Sequence, residues 1–337
     1  MFRGLAVLGL LLGLAAPVAA QRTGGTGDCD RACLTGIADA YIAALVAHTP
    51  SKAPLASNVK FTEQAQVLKV GEGLWKTTTQ GPTTFKIAVA DPIAGQVGMI
   101  VMMKAELGPP PVNPITGTAP PVPPGPADVQ LAFRLKVEKK QITEAEHIYA
   151  RITAASQLAN LQKPRAAFFA TVPPAQRSSR DIMLLIGNAY YDSLMQSDGE
   201  AAPFAEDCAR RENGMHTAGV GAPPPQPGAL PIQGCAEQLT SRAMSYITSI
   251  DLRRVWIADE EKGLVFGLTM FRHPMTEKFV TILNPDGTTT QRPWNFNPFD
   301  LEAAHIFKIS AGKIHEIEAM GFTLPLYSKN GWSPFLR

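Results

Sequence analysis

The sequence lacks the features that mark several large classes of protein. Its charge is nearly balanced, at 31 Lys and Arg against 29 Asp and Glu, and its basic residues form no cluster. Neither nucleic acid nor an anionic membrane surface is therefore an expected partner. Beyond the first twenty residues no run of about eighteen apolar residues occurs, so no membrane span is expected.

Motifs for cofactors, metals and hydrolytic nucleophiles are absent as well. The chain has no Gly-rich phosphate loop, no His-Glu-x-x-His, no Cys-x-x-Cys and no Gly-x-Ser-x-Gly. We therefore expect neither a cofactor nor a metal. What remains is acid–base chemistry by His, Glu, Asp, Lys and Tyr in an apolar cavity, where burial shifts pKa values by several units.

The N-terminus has the pattern of an export signal. Arg3 precedes an apolar run from Leu5 to Ala16, and the small residues Ala19 and Ala20 precede Gln21. This pattern predicts a secretory signal peptide over residues 1–20, cleaved after Ala20, since the apolar run is too short for a membrane anchor. The expected location is periplasmic or extracellular.

Four cysteines are expected to form two disulfides in such a compartment, although sequence alone allows three pairings. Cys29 and Cys33 lie four residues apart at the start of a helical pattern, a spacing that suits a local bridge. Cys208 and Cys235 flank a Gly- and Pro-rich loop that a bridge would close. A metal site is the alternative, but no His spacing supports it.

Two halves of the chain repeat one pattern. Ile37-Ala38-Asp39-Ala40-Tyr41 matches Ile186-Gly187-Asn188-Ala189-Tyr190 at an offset of 149 residues, and Leu135-Lys136-Val137 matches Phe307-Lys308-Ile309 at an offset of 172. Similar matches between these points keep their order while the offset grows. Ordered similarity of this kind predicts a duplicated unit.

Each unit is predicted to begin with a helix and a short second helical segment, followed by a meander of antiparallel strands. Turn residues separate the β-rich stretches, which are Thr83–Val89, Gln96–Met103, Val129–Val137 and Gln141–Tyr149 in the first unit and Leu252–Ala258, Leu264–Phe271, Leu301–Ile309 and Lys313–Ala319 in the second. This order predicts an α+β fold with helices on one face of a curved sheet.

The predicted boundaries are residues 28–152 for the first unit and 178–323 for the second, with a linker at 153–177 and a tail at 324–337. Two Pro-rich stretches, Gly108–Pro126 and Gly219–Pro231, interrupt the pattern because proline cannot join a strand ladder. Three alternatives remain for each stretch: a solvated loop, a flap over a pocket, or an arm that packs on a neighbouring subunit.

Helices followed by a curled sheet, with closing strands such as Phe307–Glu318, resemble the NTF2-like superfamily, and its SnoaL-like and ketosteroid-isomerase-like pocket proteins in particular. The resemblance covers both units and lies in layout and strand pattern, without a diagnostic catalytic motif. It implies two tandem cones, each holding a small hydrophobic ligand or a cofactor-free active site.

The leader, the tandem units and the mature length are also similar to a class of bacterial lyases that act on lignin fragments. These enzymes remove formaldehyde and water from a 1,2-diarylpropane-1,3-diol and leave a stilbene, without a cofactor. The likeness implies a small aromatic substrate and a carbon–carbon lyase. A periplasmic binding module for small hydrophobic ligands, or a dehydratase or isomerase of the same fold, is the alternative.

His305 is the first candidate for chemistry. It alternates with Phe307 and Ile309 on one face of a predicted strand, where the first unit has Phe133. An imidazole in place of a phenyl ring gives one cone a titratable group, although a buried histidine bonded to a backbone carbonyl explains it equally well. The second unit is therefore expected to carry the chemistry.

Further candidates surround it. Glu63 and Glu212 occupy equivalent places and serve either as pocket carboxylates or as caps of a neighbouring segment. Candidates for stabilising a developing oxyanion are Arg254 and Lys86, the latter equally explained by an exposed edge. Candidates for contact with an aromatic substrate are Tyr190, Tyr191, Trp256, His273 and Trp294. Self-association is the other partnership that the sequence leaves open.

Overall fold

The computed structural model describes residues 28–110, 112–113, 117–119, 121–122, 124–222, 234–294 and 296–332. The predicted signal peptide and most of the second Pro-rich stretch lie outside the described residues. Among the residues that are described, no helix is both long enough and apolar enough to cross a membrane.

The first half forms a mixed seven-stranded sheet with one long helix against it. Its helices are α1 (Arg31–Val46) and α2 (Leu74–Thr77), and its strands are β1 (Leu55–Glu63), β2 (Gln66–Leu68), β3 (Thr78–Gln80), β4 (Lys86–Asp91), β5 (Gln96–Ala105), β6 (Ala127–Glu138) and β7 (Gln141–Ile152). The strand order is β2-β1-β7-β6-β5-β3, with β4 also paired to β5.

The second half repeats this arrangement after the short helix α3 (Ala155–Asn160). It contains α4 (Arg180–Gln196), α5 (Cys235–Thr240), β8 (Phe204–Glu212), β9 (Met215–Gly219), β10 (Ser249–Asp259), β11 (Leu264–His273), β12 (Phe279–Leu283), β13 (Thr289–Pro293), β14 (Phe299–Ser310) and β15 (Lys313–Leu324). Six strands form a sheet in the order β10-β11-β14-β15-β8-β9, and β12 pairs with β13 as a separate hairpin.

The predicted fold class is confirmed: each half is an α+β unit in which helices cover one face of a curved sheet. The sheets are antiparallel except at one pair each, because β1 runs parallel to β7 and β8 runs parallel to β15. The duplication extends to the strand ends, since β6 and β7 map onto β14 and β15 at the offset of 172 residues. The unit boundaries predicted from the sequence stay a prediction.

The short second helical segment predicted for each unit is present as α2 and α5, but two strands precede it in each unit, contrary to the predicted order of helices first. Residues Leu55–Glu63 and Phe204–Glu212 are strands β1 and β8, each paired along one edge to the last strand of its sheet. The parallel partner comes from more than eighty residues further along the chain, so no local pattern reveals the pairing.

The long helices bury one stripe against their sheets. In α4 the buried side chains recur every three or four residues, as in Met183, Ile186, Tyr190 and Leu194. Gly187 lies in the same stripe and lets the helix approach closely, because a Cβ there would stand 3.0–3.1 Å from Val265 and Val255. The helix thereby reaches the sheet whose inner face forms the cone.

Both predicted disulfides form. Cys29–Cys33 ties the first turn of α1, where Asp30 also caps the helix by accepting from the Cys33 amide at 2.8 Å. Cys208–Cys235 joins β8 to α5. Disulfides of this kind fit an oxidising compartment.

The outer faces of the two sheets pack against each other. A cluster of buried apolar residues drawn from both halves, among them Ile87, Ile100, Ile257 and Ile306, fills the layer between the sheets. Phe266 seats directly on Gly98, where an added Cβ would lie 2.4 Å from the ring. The two helical faces therefore point away from each other, so that each cone lies on its own side.

Candidate functional site

A cavity of about 220 Å³ lies inside the second cone, between α4 and the inner face of its sheet. Apolar side chains such as Leu194, Phe271 and Met320 form most of the wall, and the polar lining residues are Tyr190, Glu212, Asn213, Tyr246, His273 and His305. Glu212 has a side chain that is 38% exposed, and Met215 is 50% exposed, so the mouth lies at these residues.

His305 sits deep in this cavity. Its ring is 3% exposed and packs against Tyr190, Tyr191, Phe271 and Phe307 at centroid distances of 5.3–5.8 Å. Burial, with a smaller contribution from the charge of Arg210, lowers the pKa of His305 to about 3. Its Nδ1 has no hydrogen-bond partner among the described residues. The cavity therefore contains a neutral imidazole with a free ring nitrogen.

Arg210 organises the polar side of the cavity. This guanidinium, 1% exposed, donates to the Tyr190 hydroxyl at 3.2 Å and to Thr217 Oγ1 at 3.0 Å, and it also bonds Gln238. Its Nε lies 3.1 Å from Glu212 Oε1. Because the Tyr190 oxygen accepts from Arg210, the Tyr190 proton is free to be donated to a ligand. Burial nevertheless keeps the pKa of Tyr190 raised.

A stack of rings flanks the mouth. His273 lies parallel to Phe299 at 4.1 Å on one side and stacks on Tyr246 at 5.7 Å on the other, and Tyr246 stacks in turn on Trp294 at 4.6 Å. Burial lowers the pKa of His273 to about 4 and, with the charge of Glu212, raises the pKa of Tyr246 to about 12. Both groups are therefore neutral near pH 7.

The first cone is filled where the second is open. Its equivalent of Tyr190, Tyr41, contacts Trp75 edge-on at 5.2 Å, and Trp75 is 1% exposed. The Tyr41 hydroxyl lies 2.9 Å from His147 Nε2, and His147 Nδ1 lies 3.1 Å from Glu63 Oε2. The residue at the place of His147 in the second unit is Ala319, which lines the second cavity. A large side chain has thus been replaced by a small one where the cavity opens.

The structure brings four of the ten predicted site residues to the cavity wall: His305, Glu212, Tyr190 and His273. Tyr191 and Trp294 lie one layer behind, against His305 and Tyr246 respectively. The remaining four lie elsewhere.

Glu63 and Lys86 belong to the first unit and do not reach the second cavity. Glu63 accepts from the Leu74 amide at 3.0 and 3.1 Å, so it holds the start of α2, as its capping interpretation expects. Lys86 pairs with Asp39 at 2.9 Å, with side chains that are 38% and 51% exposed. Lys86 therefore lies at an exposed edge, the alternative to an oxyanion role.

Arg254 and Trp256 do not form part of the cavity wall, contrary to the prediction. Arg254 is buried between the two sheets, where it donates to Glu146 at 2.5 Å and to Glu302 at 3.2 Å. Trp256 is 39% exposed beside Arg134. The reason is strand alternation, because Val255, between them, is the residue that faces the helix.

Sequence reasoning missed Arg210, Tyr246 and His147. Arg210 takes the place of Phe61 in the repeat, so a charged residue at a core position of a strand was the signal. His147 and His305 take opposite places in equivalent cross-strand pairs, since Phe133 pairs with His147 in the first sheet and His305 pairs with Ala319 in the second. Tyr246 lies in a turn with no counterpart and gives no signal.

Metal ligation finds no support in this cavity, because no group of three or more His, Cys, Asp or Glu side chains converges among the described residues. The polar groups present can bind a hydroxyl or carbonyl oxygen, accept a proton at a carboxylate and donate one from a phenol. An apolar ring fits the remaining wall.

Comparison with known proteins gives one family match. Residues 176–321, which contain the second cone, match a family described as a domain of unknown function (DUF8021). No curated protein matches the chain.

Several solved structures are similar over one unit. A polyketide cyclase candidate from Xanthomonas campestris pv. campestris is 18% identical and covers 42% of this chain and 92% of its own, at a TM-score of 0.27. A hypothetical protein with a ketosteroid isomerase-like fold from Catenulispora acidiphila is 16% identical. The match covers 38% of this chain and 93% of the other, at a TM-score of 0.25. A protein of unknown function with a cystatin-like fold from Methylobium petroleophilum is also 16% identical. The match covers 45% of this chain and 82% of the other, at a TM-score of 0.27. At these values we draw no functional conclusion from them.

Proposed function

We propose that the second cone is a cofactor-independent acid–base site that cleaves a carbon–carbon bond in an aromatic diol. The observation that carries the proposal is the convergence of a carboxylate (Glu212), an arginine-bound phenol (Tyr190) and a neutral imidazole (His305) on one apolar cavity. Such a set supplies a base, an acid and a hydroxyl-binding group without a metal.

The roles follow from the charge state of each group. His305 is a weak base, because burial lowers its pKa to about 3, so its imidazole, which lines the cavity, serves to bind a substrate hydroxyl. Glu212, paired with Arg210 at the mouth, is the base. Tyr190 retains its proton and is the acid. This assignment replaces the oxyanion roles first considered for Arg254 and Lys86.

The substrate proposed is a 1,2-diarylpropane-1,3-diol. Glu212 takes the proton of the primary hydroxyl, and the adjacent carbon–carbon bond breaks to release formaldehyde. The electron pair of the broken carbon–carbon bond forms the alkene and expels the benzylic hydroxyl. This hydroxyl takes the Tyr190 proton and leaves as water. The products are a stilbene, formaldehyde and water.

Cavity size refines the substrate pose. A cavity of about 150 Å³ is enough for benzene, so about 220 Å³ accommodates one substituted aryl ring. The second ring of a diarylpropane would then rest at the mouth, against Met215 and Met244, whose flexible side chains adapt to such surfaces. The disulfides support a working place outside the cytoplasm.

The direct assay is formaldehyde and stilbene formation by the mature protein from diarylpropanediols that differ in ring substitution. We expect Glu212→Gln to lower kcat by about 100-fold or more, the range typical of a lost general base. Glu206→Gln is the matched control, because Glu206 is an exposed carboxylate on the same strand. Absence of formaldehyde from every diol would remove the proposal.

A non-catalytic binding module is the second candidate. It is favoured by one observation, the two imidazoles of the cavity that burial keeps neutral and weakly basic. It predicts that the diol or its stilbene binds with an affinity that Glu212→Gln leaves unchanged, with no turnover. Calorimetry on the same variants separates it from the lyase.

A further inference from the structure

A second cavity, which we call the seam cavity, lies where the end of β7 in the first unit meets the end of β15 in the second. Its volume is about 560 Å³, within the range of about 300–1,000 Å³ typical of small-molecule sites. Its walls include Tyr149 and Arg151 from β7, Phe322 and Leu324 from β15, and the segment Leu107–Pro110. It shares no lining residue with the cavity of the second cone.

The lining of the seam cavity is apolar apart from a few neutral groups and one charge. Arg151 is the single charged residue in the described lining, and no Asp or Glu lies there. Among the described residues, Arg151 donates one hydrogen bond, from a terminal nitrogen to the Gly108 carbonyl at 2.8 Å, and forms no ion pair. A half-buried guanidinium without a carboxylate leaves donors available to an incoming anion.

The wall that carries Arg151 is held in place by the first unit. The Gln64 side chain forms two bonds with the backbone of Tyr149, donating to its carbonyl at 3.0 Å and accepting from its amide at 2.8 Å. Pro109 and Pro110 form the facing wall, where their rings fix the backbone. The site is therefore preorganised on both sides of Arg151, which lowers the cost of binding.

We propose that the seam cavity binds a hydrophobic carboxylate, with the carboxylate on Arg151 and the apolar body against Phe322, Leu324 and Pro109. Charge complementarity selects this ligand class, because Arg151 is the one cation of the described lining and no described lining residue is an acid. Guanidinium binds carboxylate through two parallel hydrogen bonds, a geometry that a neutral amide cannot match. The inference does not depend on the reaction proposed for the second cone.

The test is calorimetry of the mature protein with naphthalene-2-carboxylate and naphthalene-2-carboxamide, two probes of nearly equal shape. We expect the carboxylate to bind about tenfold tighter or more, the range of hydrogen bonds to charged groups. Arg151→Met should abolish this preference. Arg177→Met is the matched control, because Arg177 also donates to a single backbone carbonyl, that of Val172, away from the cavity.

Two further variants protect the test against misfolding. Arg151→Lys keeps the charge and should keep part of the preference for the carboxylate. Leu324→Trp fills the cavity and should weaken the binding of both probes. Equal affinity for the two probes, a preference that survives Arg151→Met, or affinity untouched by Leu324→Trp would each overturn the proposal. Binding of neither probe overturns it as well.

Discussion

At the scale of residues, the two cones differ through a few exchanges at matched positions. The first cone pairs Phe133 with His147, whereas the second pairs His305 with Ala319. His147 is bonded on both ring nitrogens, to Tyr41 and Glu63, while His305 lines a cavity and its Nδ1 has no hydrogen-bond partner among the described residues. His147 therefore forms part of the hydrogen-bonded interior of the first cone, whereas His305 is positioned to contact a ligand in the second.

The buried neutral state of His305 has a consequence for stability in acid. In the folded protein the pKa of His305 is about 3, whereas a histidine in the unfolded chain titrates near 6.5. Between these values the unfolded state binds more protons, so stability falls as the pH drops. His305→Phe, which installs the first-unit residue, should lower this acid slope by about 1.4 kcal/mol per pH unit between pH 6 and 4.

Urea unfolding at a series of pH values measures the slope. His315→Phe is the control, because His315 is half-exposed and lies 2.7 Å from Asp207 on the surface. An acid slope identical in wild type and His305→Phe would contradict the buried neutral imidazole.

At the scale of elements, α2 accounts for the closed first cone. This single turn, Leu74–Thr77, inserts Trp75 against Tyr41 and is fixed at its start by Glu63 and by the bond between His48 Nδ1 and the Trp75 carbonyl at 2.7 Å. The corresponding chain of the second unit contains α5 and the turn with Tyr246, whose ring stands at the mouth instead of filling the interior.

Removal of the Trp75 ring should therefore open the first cone. We expect Trp75→Ala to destabilise the protein by about 3–5 kcal/mol, the usual cost of a deleted buried indole. Added indole should bind the new cavity and recover part of the loss. Denaturant titration with and without indole is the measurement, with Trp294→Ala, which removes a half-buried ring, as control. A loss below 1 kcal/mol would show that Trp75 does not fill the cone.

At the scale of the molecule, the two units form a pseudo-symmetric pair through their outer sheet faces. Arg31 of α1 reaches Asp259 of the second sheet at 2.7 Å, and its repeat equivalent Arg180 of α4 reaches Asp91 of the first sheet at 2.8 Å. Such reciprocal contacts are those of a two-fold dimer interface, here within one chain. Each unit therefore supports the other's helix.

The central ion-pair cluster of this interface lies outside the cavity, so we expect it to contribute to stability and not to catalysis. Arg254 bridges Glu146 of the first unit and Glu302 of the second, all within a few per cent of full burial. Burial and the neighbouring Glu146 raise the pKa of Glu302. Arg254→Met leaves Glu302 without its paired cation, while Glu146 keeps Arg134 at 3.2 Å, and the change should cost about 3–5 kcal/mol.

Thermal and urea unfolding test this, and the double variant Arg254→Met with Glu302→Gln should recover part of the loss. Activity per folded molecule should stay near the wild-type value, because Arg254 lies outside the cavity. Loss of activity in Arg254→Met without loss of stability would contradict this account and indicate a functional role for Arg254.

The sequence revealed the strands of the meander and the repeat because alternation and turn residues are local signals. It did not reveal β1 and β8, whose partners lie at the far end of each unit, nor the side of β10 on which Arg254 lies. The exchange of Phe133 for His305 was readable by superposing the repeats. The exchange of His147 for Ala319, which opens the cavity, required knowledge of which strands are neighbours.

The central claim is that chemistry belongs to the second cone while the first is structural, and two equivalent tyrosines test it directly. Tyr190→Phe and Tyr41→Phe each remove one buried hydroxyl with one hydrogen-bond partner, Arg210 or His147. Comparison of kcat/KM for formaldehyde release is the measurement. We predict a loss of about 100-fold for Tyr190→Phe and near wild-type activity for Tyr41→Phe. Equal losses, or a loss confined to Tyr41→Phe, would contradict the account.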